Sequence, residues 1–452
     1  MHVGPGLEDR ATVVVIPFLG SVVPPNPGAV GPTPSLGSRV GSRAWRCCMA
    51  DADAIVVGAG PAGASLAFLL ADRGIRVTLL ERQSDFAREF RGEILLPSGI
   101  DALQQMGLAN LLPSIPQSRP TTLSVYLNQN LVIELALEPA LFAGRPPVAM
   151  SQPALLEMLV AEASKRPAFC FLRGALVREL LREEGRVVGV RAQTAEGEHL
   201  LHAAVVVGAD GRASLVRRRG GFEAKEQAPP MDIVWCKVPR FHEFRGARAY
   251  LGRGHLLIAY HTWDDRLQIA WAILKGTFGE IRRRGVGEWV EEMANHVTPD
   301  LSSHLRTHKG TIVHPFLLDV VSDRVTCWST PGALLIGDAA HTMSPVGGQG
   351  LNVALRDALV AANHLVPVLR AGGDPASIDL AMRRIEAERL PEISSVQRAQ
   401  ALPPRIVLSR AWWGEPVRGL IAALLLTPQG RRVAAAQARL FAFGKSPVQL
   451  FV

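Results

Sequence analysis

The feature that most constrains this chain is the stretch from Ala54 to Glu81, AIVVGAGPAGASLAFLLADRGIRVTLLE. Ile55 to Val57 is a short apolar run of the kind that a strand buried on both faces requires. It leads into G-x-G-x-x-G, with Gly58, Gly60 and Gly63, and then a helical pattern with Leu66, Leu69 and Leu70 as far as Arg73. Gly74 stops that helix, and Ile75 to Leu80 reads as a second buried strand. The first glycine permits a tight turn, the second lets a pyrophosphate approach the backbone, and the third lets helix and strand pack closely. The helix start presents unpaired N–H groups and partial positive charge to phosphates. Glu81 ends the second strand, where an acid can hold ribose hydroxyls, and Arg82 follows it. The glycines alone specify little. With strand, helix, second strand and terminal acid in register, they predict a βαβ unit that holds a dinucleotide.

A chain of 452 residues leaves room for two to three domains around that unit. The net charge of +8 raises the question of nucleic acid. The basic residues are scattered beside acids, as in Arg178-Glu179 and Arg182-Glu183-Glu184, and the tightest cluster, Arg217 to Arg219, has no interleaved aromatics. No nucleic-acid partner is expected, and the charge suits anionic cofactors. The five cysteines (Cys47, Cys48, Cys170, Cys236, Cys327) are odd in number and lack metal-ligand spacing. That argues against a disulfide framework or a metal site. Cys170, Cys236 and Cys327 read as core residues, and a reducing cytoplasm fits.

Residues 1–48 read as a disordered leader rich in proline and glycine, with Met49 immediately before the first strand. An upstream start codon is the simplest account of it; a targeting segment is the alternative. The dinucleotide-binding domain is expected in three parts, 49–120, 151–230 and 321–370. A hairpin at 121–150, turning at Asn128-Gln129-Asn130, and a substrate domain at 231–320 interrupt it. Ile233 to Leu274 reads as antiparallel strands rich in large rings. Residues 371–452 read as C-terminal helices, with Ile385 to Arg398 and Val417 to Phe443 helical. No apolar run approaches the length of a membrane span. Val417 to Thr427 is short and apolar. Packing against the body is its simplest role; roofing the substrate pocket and docking on a membrane surface are the others.

Two further motifs follow the first in order: Gly208-Ala209-Asp210-Gly211-Arg212, and GDAAHTMSPVGGQGLN from Gly337 to Asn352. In the last, an aspartate at a strand's carboxyl end can accept hydrogen bonds from a ribityl chain. Pro345 to Gly350 is stripped of bulk, so backbone can lie against a flat ring, and the next helix aims its positive end there. In this order and spacing the three motifs resemble those of the single-component FAD-dependent aromatic hydroxylases, the p-hydroxybenzoate hydroxylase-like group A flavoprotein monooxygenases. The resemblance implies an α/β fold: a Rossmann-like FAD-binding domain, an inserted antiparallel-sheet substrate domain and a helical C-terminus. It also implies non-covalent FAD and NADH or NADPH as transient reductant, since no second dinucleotide motif is present.

By this resemblance Gly58, Gly60, Pro61, Ala62, Gly63, Glu81, Arg82, Arg91, Gln152, Asp210, Gly337 and Asp338 hold the cofactor. Pro345, Gly347, Gly348, Gly350, Leu351 and Asn352 border its ring. Arg91 matches the family's arginine near the ribityl and pyrophosphate groups; Gln152 stands where many relatives have arginine. Arg212, Ser214 and Arg217 suit either a pyrophosphate or plain surface. His341 is structural in the family, and no protein residue is assigned a catalytic role. The rings of the second sheet read first as ordinary core; alternation lets only one face of each strand meet substrate, and Trp235, Tyr260 and Trp271 are the candidate walls. The implied reaction takes NAD(P)H and O2 and hydroxylates an electron-rich, hydrophobic aromatic or quinone-like small molecule through a flavin C4a-hydroperoxide. A halogenase of the same fold requires Trp-x-Trp-x-Ile-Pro, whereas Trp271 is followed by Ala272-Ile273-Leu274. A prenyl reductase and a non-enzymatic flavoprotein are the other rivals. The chain is expected as monomer or homodimer.

Overall fold

The computed structural model describes residues 51–87, 94–227, 229–252, 254–312, 315–425 and 427–452. The leader and Arg91 lie outside them. The opening unit forms as β1 (Ala52–Val57), α1 (Pro61–Asp72) and β2 (Val77–Glu81). Pro61 opens α1, where its missing N–H costs nothing. Next come β3 (Ile94–Leu95), α2 (Pro97–Gln105), β4 (Gln117–Ser118), β5 (Thr122–Leu127), β6 (Asn130–Ala136), β7 (Val148–Met150) and α3 (Gln152–Ser164). They are followed by β8 (Phe169–Arg173), β9 (Leu176–Glu183), β10 (Arg186–Thr194), β11 (Gly197–Gly208), α4 (Leu215–Gly220) and β12 (Ala224–Gln227). The ring-rich part holds β13 (Met231–Pro239), β14 (Ala247–Gly252), β15 (His255–His261) and β16 (Arg266–Leu274), then α5 (Phe278–Arg284), α6 (Val286–Ala294) and α7 (Pro299–His308). Four short strands follow, β17 (Phe316–Leu318), β18 (Ser322–Val325), β19 (Ser329–Thr330) and β20 (Ala333–Leu335). The chain ends in α8 (Gln349–Arg370), α9 (Pro375–Val407), α10 (Gly414–Leu425) and α11 (Pro428–Phe443).

One sheet runs β19-β20-β11-β1-β2-β8, with β10 and β9 continuing from β11. Its centre is parallel, so the strands are apolar on both faces and their carboxyl ends share one edge. Val57 lies opposite both Gly208 and Leu80, and Gly208 lies opposite Leu335. Motifs far apart in sequence therefore converge, because each directly follows a strand that ends at that edge. The pattern at 199–202 and 203–207 reads as two strands, but β11 is one. Its first half pairs with β10 and its second half enters the parallel centre. The change of pattern marks a change of surroundings and not a break.

The second sheet runs β17-β13-β16-β15-β14-β5-β6, so the expected hairpin joins it, with β14 and β5 pairing in parallel. Asn128 and Gln129 both take positive φ (47° and 69°), as a two-residue hairpin turn of matching twist demands. The sheet buries Trp235, Ile258 and Tyr260 on one face with Val346 of the third motif. Trp271 and Tyr250 lie on the other face, among Trp289 of α6 and Leu301 of α7.

Three readings change at the C-terminus and among the cysteines. α9 runs from Asp374, whose carboxylate accepts from the Ser377 N–H (2.9 Å), through Pro391, Pro403 and Pro404. It is far longer than 385–398. The expected helix 417–443 is two, because Thr427 caps α11 by accepting from the Gly430 N–H (3.1 Å) and Pro428 starts it. Of the thiols read as core, Cys236 is buried; Cys327 is exposed in the turn after β18, and Cys170, on edge strand β8, is disulfide-bonded. No helix among the described residues is long and apolar enough to cross a membrane.

Candidate active site

At the shared carboxyl edge lies a cavity of about 420 Å³. Gly58, Gly60, Pro61, Ala62, Glu81 and Arg82 border it from the first motif, Gln152 from α3 and Asp210 from the second motif. Asp338, Pro345, Gly348, Gly350 and Leu351 border it from the third. Two helix N-termini open on it, α1 at Gly60 and α8 at Gly348, and neither has a side-chain cap. Uncapped first-turn N–H groups from two helices make an anion site. Glu81 is buried and braces the glycine loop: its carboxylate accepts from the N–H groups of Ala59 and Gln83, both at 3.0 Å. At Gly63 a Cβ would overlap the Gly58 carbonyl, so only glycine allows α1 this close to β1. Gly63 and Gly337 shape the edge without bordering the cavity.

The polar residues divide into those facing the cavity and those holding its walls. Asp338 borders it, with the Arg212 Nε 3.6 Å from its carboxylate. The Arg212 Nε is buried with no hydrogen-bond partner among the described residues. An unsatisfied buried donor beside a carboxylate and two helix N-termini fits the phosphates and hydroxyls of FAD. Asp210 instead caps α4, accepting from Leu215 N–H (2.6 Å) and Val216 N–H (3.2 Å). Burial pushes its carboxyl up, against the pull of Ser214 and those amides. Ser214 and Arg217 also hold structure: Ser214 accepts from the Arg217 N–H (2.9 Å), and Arg217 pairs with Asp323 (2.9 Å). Arg218, which the motif reading passed over, borders the cavity.

Asn352 does not face the ring site. Fully buried, it accepts from Leu96 N–H (2.8 Å) and donates to the Ile94 (3.1 Å) and Gly348 (2.8 Å) carbonyls, clamping α8 to β3. His341 is likewise internal. Its Nε2 lies 2.7 Å from Asp357, which also accepts from the Gly337 N–H (3.0 Å) and from Arg389 (2.7 Å). Arg389 pairs further with Glu392, and Glu392 with Arg356 (2.9 Å).

A second cavity, about 300 Å³ and almost wholly apolar, lies across the Gly347-Gly348 turn. The second sheet supplies Leu123, Ala249 and Ile258, and α11 roofs it with Ala438, Phe441 and Ala442. Gly348 borders both cavities, and Gly347 packs on the Phe441 ring. Trp235 and Tyr260 share the inward face of the sheet but do not line this cavity, and Trp271 is turned outward. The smaller Leu123, Ala249 and Ile258 leave the room that the rings would fill. Among the described residues, Arg439 on α11 is its only charged lining residue. Nothing local in 428–443 says what that helix covers; the small-residue spacing of Ala435, Ala438 and Ala442 is the one signal.

Residues 51–396 match the model of the family described as FAD binding domain. The 6-methylpretetramide 4-monooxygenase of Streptomyces rimosus is 31% identical over 389 residues, which cover 85% of this chain and 91% of that one. Among solved structures, PqsL of P. aeruginosa in complex with 2-aminobenzoylacetate gives a TM-score of 0.69 at 22% identity, covering 82% of this chain and 100% of that one. The p-nitrophenol 4-monooxygenase PnpA of Pseudomonas putida gives 0.71 at 18% identity, covering 88% and 99%. At these identities the two structures speak for the fold.

Proposed function

We propose a reaction for a chain that belongs to the family of FAD-dependent aromatic hydroxylases and is thus an FAD-dependent monooxygenase. In this reading it takes electrons from NADH or NADPH, and oxygen from O2. It hydroxylates an electron-rich, hydrophobic aromatic or quinone-like molecule held in the apolar cavity. The observation that carries this is the single turn at Gly348, with an anion-binding cavity on one side and an apolar cavity of ring-like dimensions on the other. FAD held here would, once reduced by NAD(P)H, activate O2, so that one oxygen atom enters the product and the other leaves as water.

The protein binds, orients and excludes water. The α1 N-terminus and Arg212 suit the pyrophosphate, Glu81 the ribose and Asp338 the ribityl hydroxyls. The α8 N-terminus favours negative charge on the reduced ring without a formal cation. Leu123, Ile258 and Phe441 keep water from the reacting face. Purified protein should consume NAD(P)H and O2 faster with a polycyclic phenol, and the product should carry one atom from isotopically labelled O2. Hydrogen peroxide as the sole oxygen product with every phenol or quinone tried would remove the hydroxylase reading.

Asp338→Ala should lower FAD affinity by about one to two decades, because hydrogen bonds to ribityl hydroxyls contribute roughly 1–3 kcal/mol. Flavin retention on dilution measures this, and full retention counts against the assigned role. Arg439 is exposed at the cavity mouth and makes no ion pair or hydrogen bond among the described residues. It is placed to meet a phenolate or enolate oxygen. Arg439→Gln should raise KM for an acidic phenol by about tenfold or more while kcat changes little. An unchanged KM would separate this arginine from substrate binding.

A further inference from the structure

Of the large apolar side chains exposed among the described residues, six fall between 402 and 433: Leu402, Trp412, Trp413, Leu420, Leu424 and Val433. Trp412 is 85% exposed and Leu420 60%. α10 orients itself opposite to a helix of a soluble surface. Its arginine, Arg418, is buried and donates to the carbonyls of Ile406 (3.2 Å) and Ser409 (3.0 Å) at the open end of α9. Among the described side chains of α10, the outward ones (Pro416, Gly419, Leu420, Ala423 and Leu424) carry no charge. Among the described side chains one face of α10, Gly414 and Arg418, is buried against the body, while Leu420 and Leu424 are exposed. Around this face Arg405, Arg410, Arg431 and Arg432 are exposed. From residue 399 to the end of the chain Glu415 is the one acidic residue.

We propose that this face docks on a membrane surface containing anionic lipid, with α10 lying in the interfacial plane. Tryptophans favour the headgroup level, an uncharged helix face favours the acyl boundary, and arginines around it favour anionic headgroups. A second copy is the competing occupant. In an isologous dimer the same patch meets itself, so four exposed arginines would face four others with one acid on each side. The charge therefore selects lipid. α11 follows α10 directly and roofs the apolar cavity, so the docked face lies beside that roof. The docking itself does not depend on the reaction proposed above.

The test uses FAD-loaded full-length protein sedimented with vesicles of phosphatidylcholine alone and of phosphatidylcholine with about one-third phosphatidylglycerol. Binding to the anionic vesicles should exceed binding to the neutral ones by about tenfold or more and fall with salt. The double variant Trp412→Glu/Trp413→Glu should lose it with melting and flavin content unchanged. Arg431→Glu/Arg432→Glu should weaken it by about tenfold through charge alone. No sedimentation with either vesicle overturns the proposal, as does equal binding to both. A wild-type dimer that the tryptophan variant splits, without vesicle binding, assigns the face to a second copy instead.

Discussion

Asp357→Ala is expected to cost about 3–5 kcal/mol of stability and most of the bound FAD. The carboxylate is fully buried and joins the His341 ring, the Arg389 guanidinium and the Gly337 N–H. Its removal leaves Arg389 facing Glu392 alone and frees the turn that presents Asp338. Burial by itself would raise this carboxyl; the His341 ring and Arg389 together outweigh it and hold it at about 2. A carboxylate with a folded value below its unfolded one, about 3.9, stabilises fully above the unfolded value. That contribution is lost as pH falls through the folded value. The difference between wild type and variant should thus be constant above about pH 5 and shrink towards pH 2. Chemical denaturation at several pH values reads it. A variant with wild-type stability and full flavin would show that the network is ornamental.

A contrast between two glycines is the second large effect. Gly63→Ala should fold poorly with or without flavin, because the new Cβ overlaps the Gly58 carbonyl and meets Ala209 Cβ at 3.1 Å. Neither neighbour can retreat: the Gly58 N–H donates to Leu80 O (2.7 Å) and the Ala209 N–H to Val57 O (2.8 Å). Overpacking at such a site costs about 1–3 kcal/mol or more. At Gly60 a Cβ meets no protein atom within 4 Å. Gly60→Ala should therefore leave the melting of flavin-free protein unchanged and weaken FAD by about tenfold or more, since the methyl group occupies the space that a pyrophosphate needs. Equal losses of apo stability in both variants would show that the cavity at Gly60 is not the phosphate site.

What the sequence by itself determined is the part governed by neighbours along the chain. A buried strand followed by glycines and a helix start has one physical reading, and it appears three times, at Gly58, Gly208 and Gly337. The hairpin at Asn128-Gln129 and the two-sheet division were legible for the same reason, since turn chemistry and apolar period act locally. What only the tertiary structure decided is where side chains find partners. Asp210 and Asn352 belong to motifs that border the cavity, yet one caps α4 and the other clamps β3. Trp271 alternates as a pocket wall would, but alternation defines two faces without saying which one meets the site. Arg418 shows the limit most plainly. A charged side chain is ordinarily solvated, but the carbonyls at the end of α9 hold this one inward, leaving Leu420 and Leu424 outside. Hydrogen-bond satisfaction between elements overrode the pattern within one, because a buried carbonyl without a donor costs more than an exposed leucine.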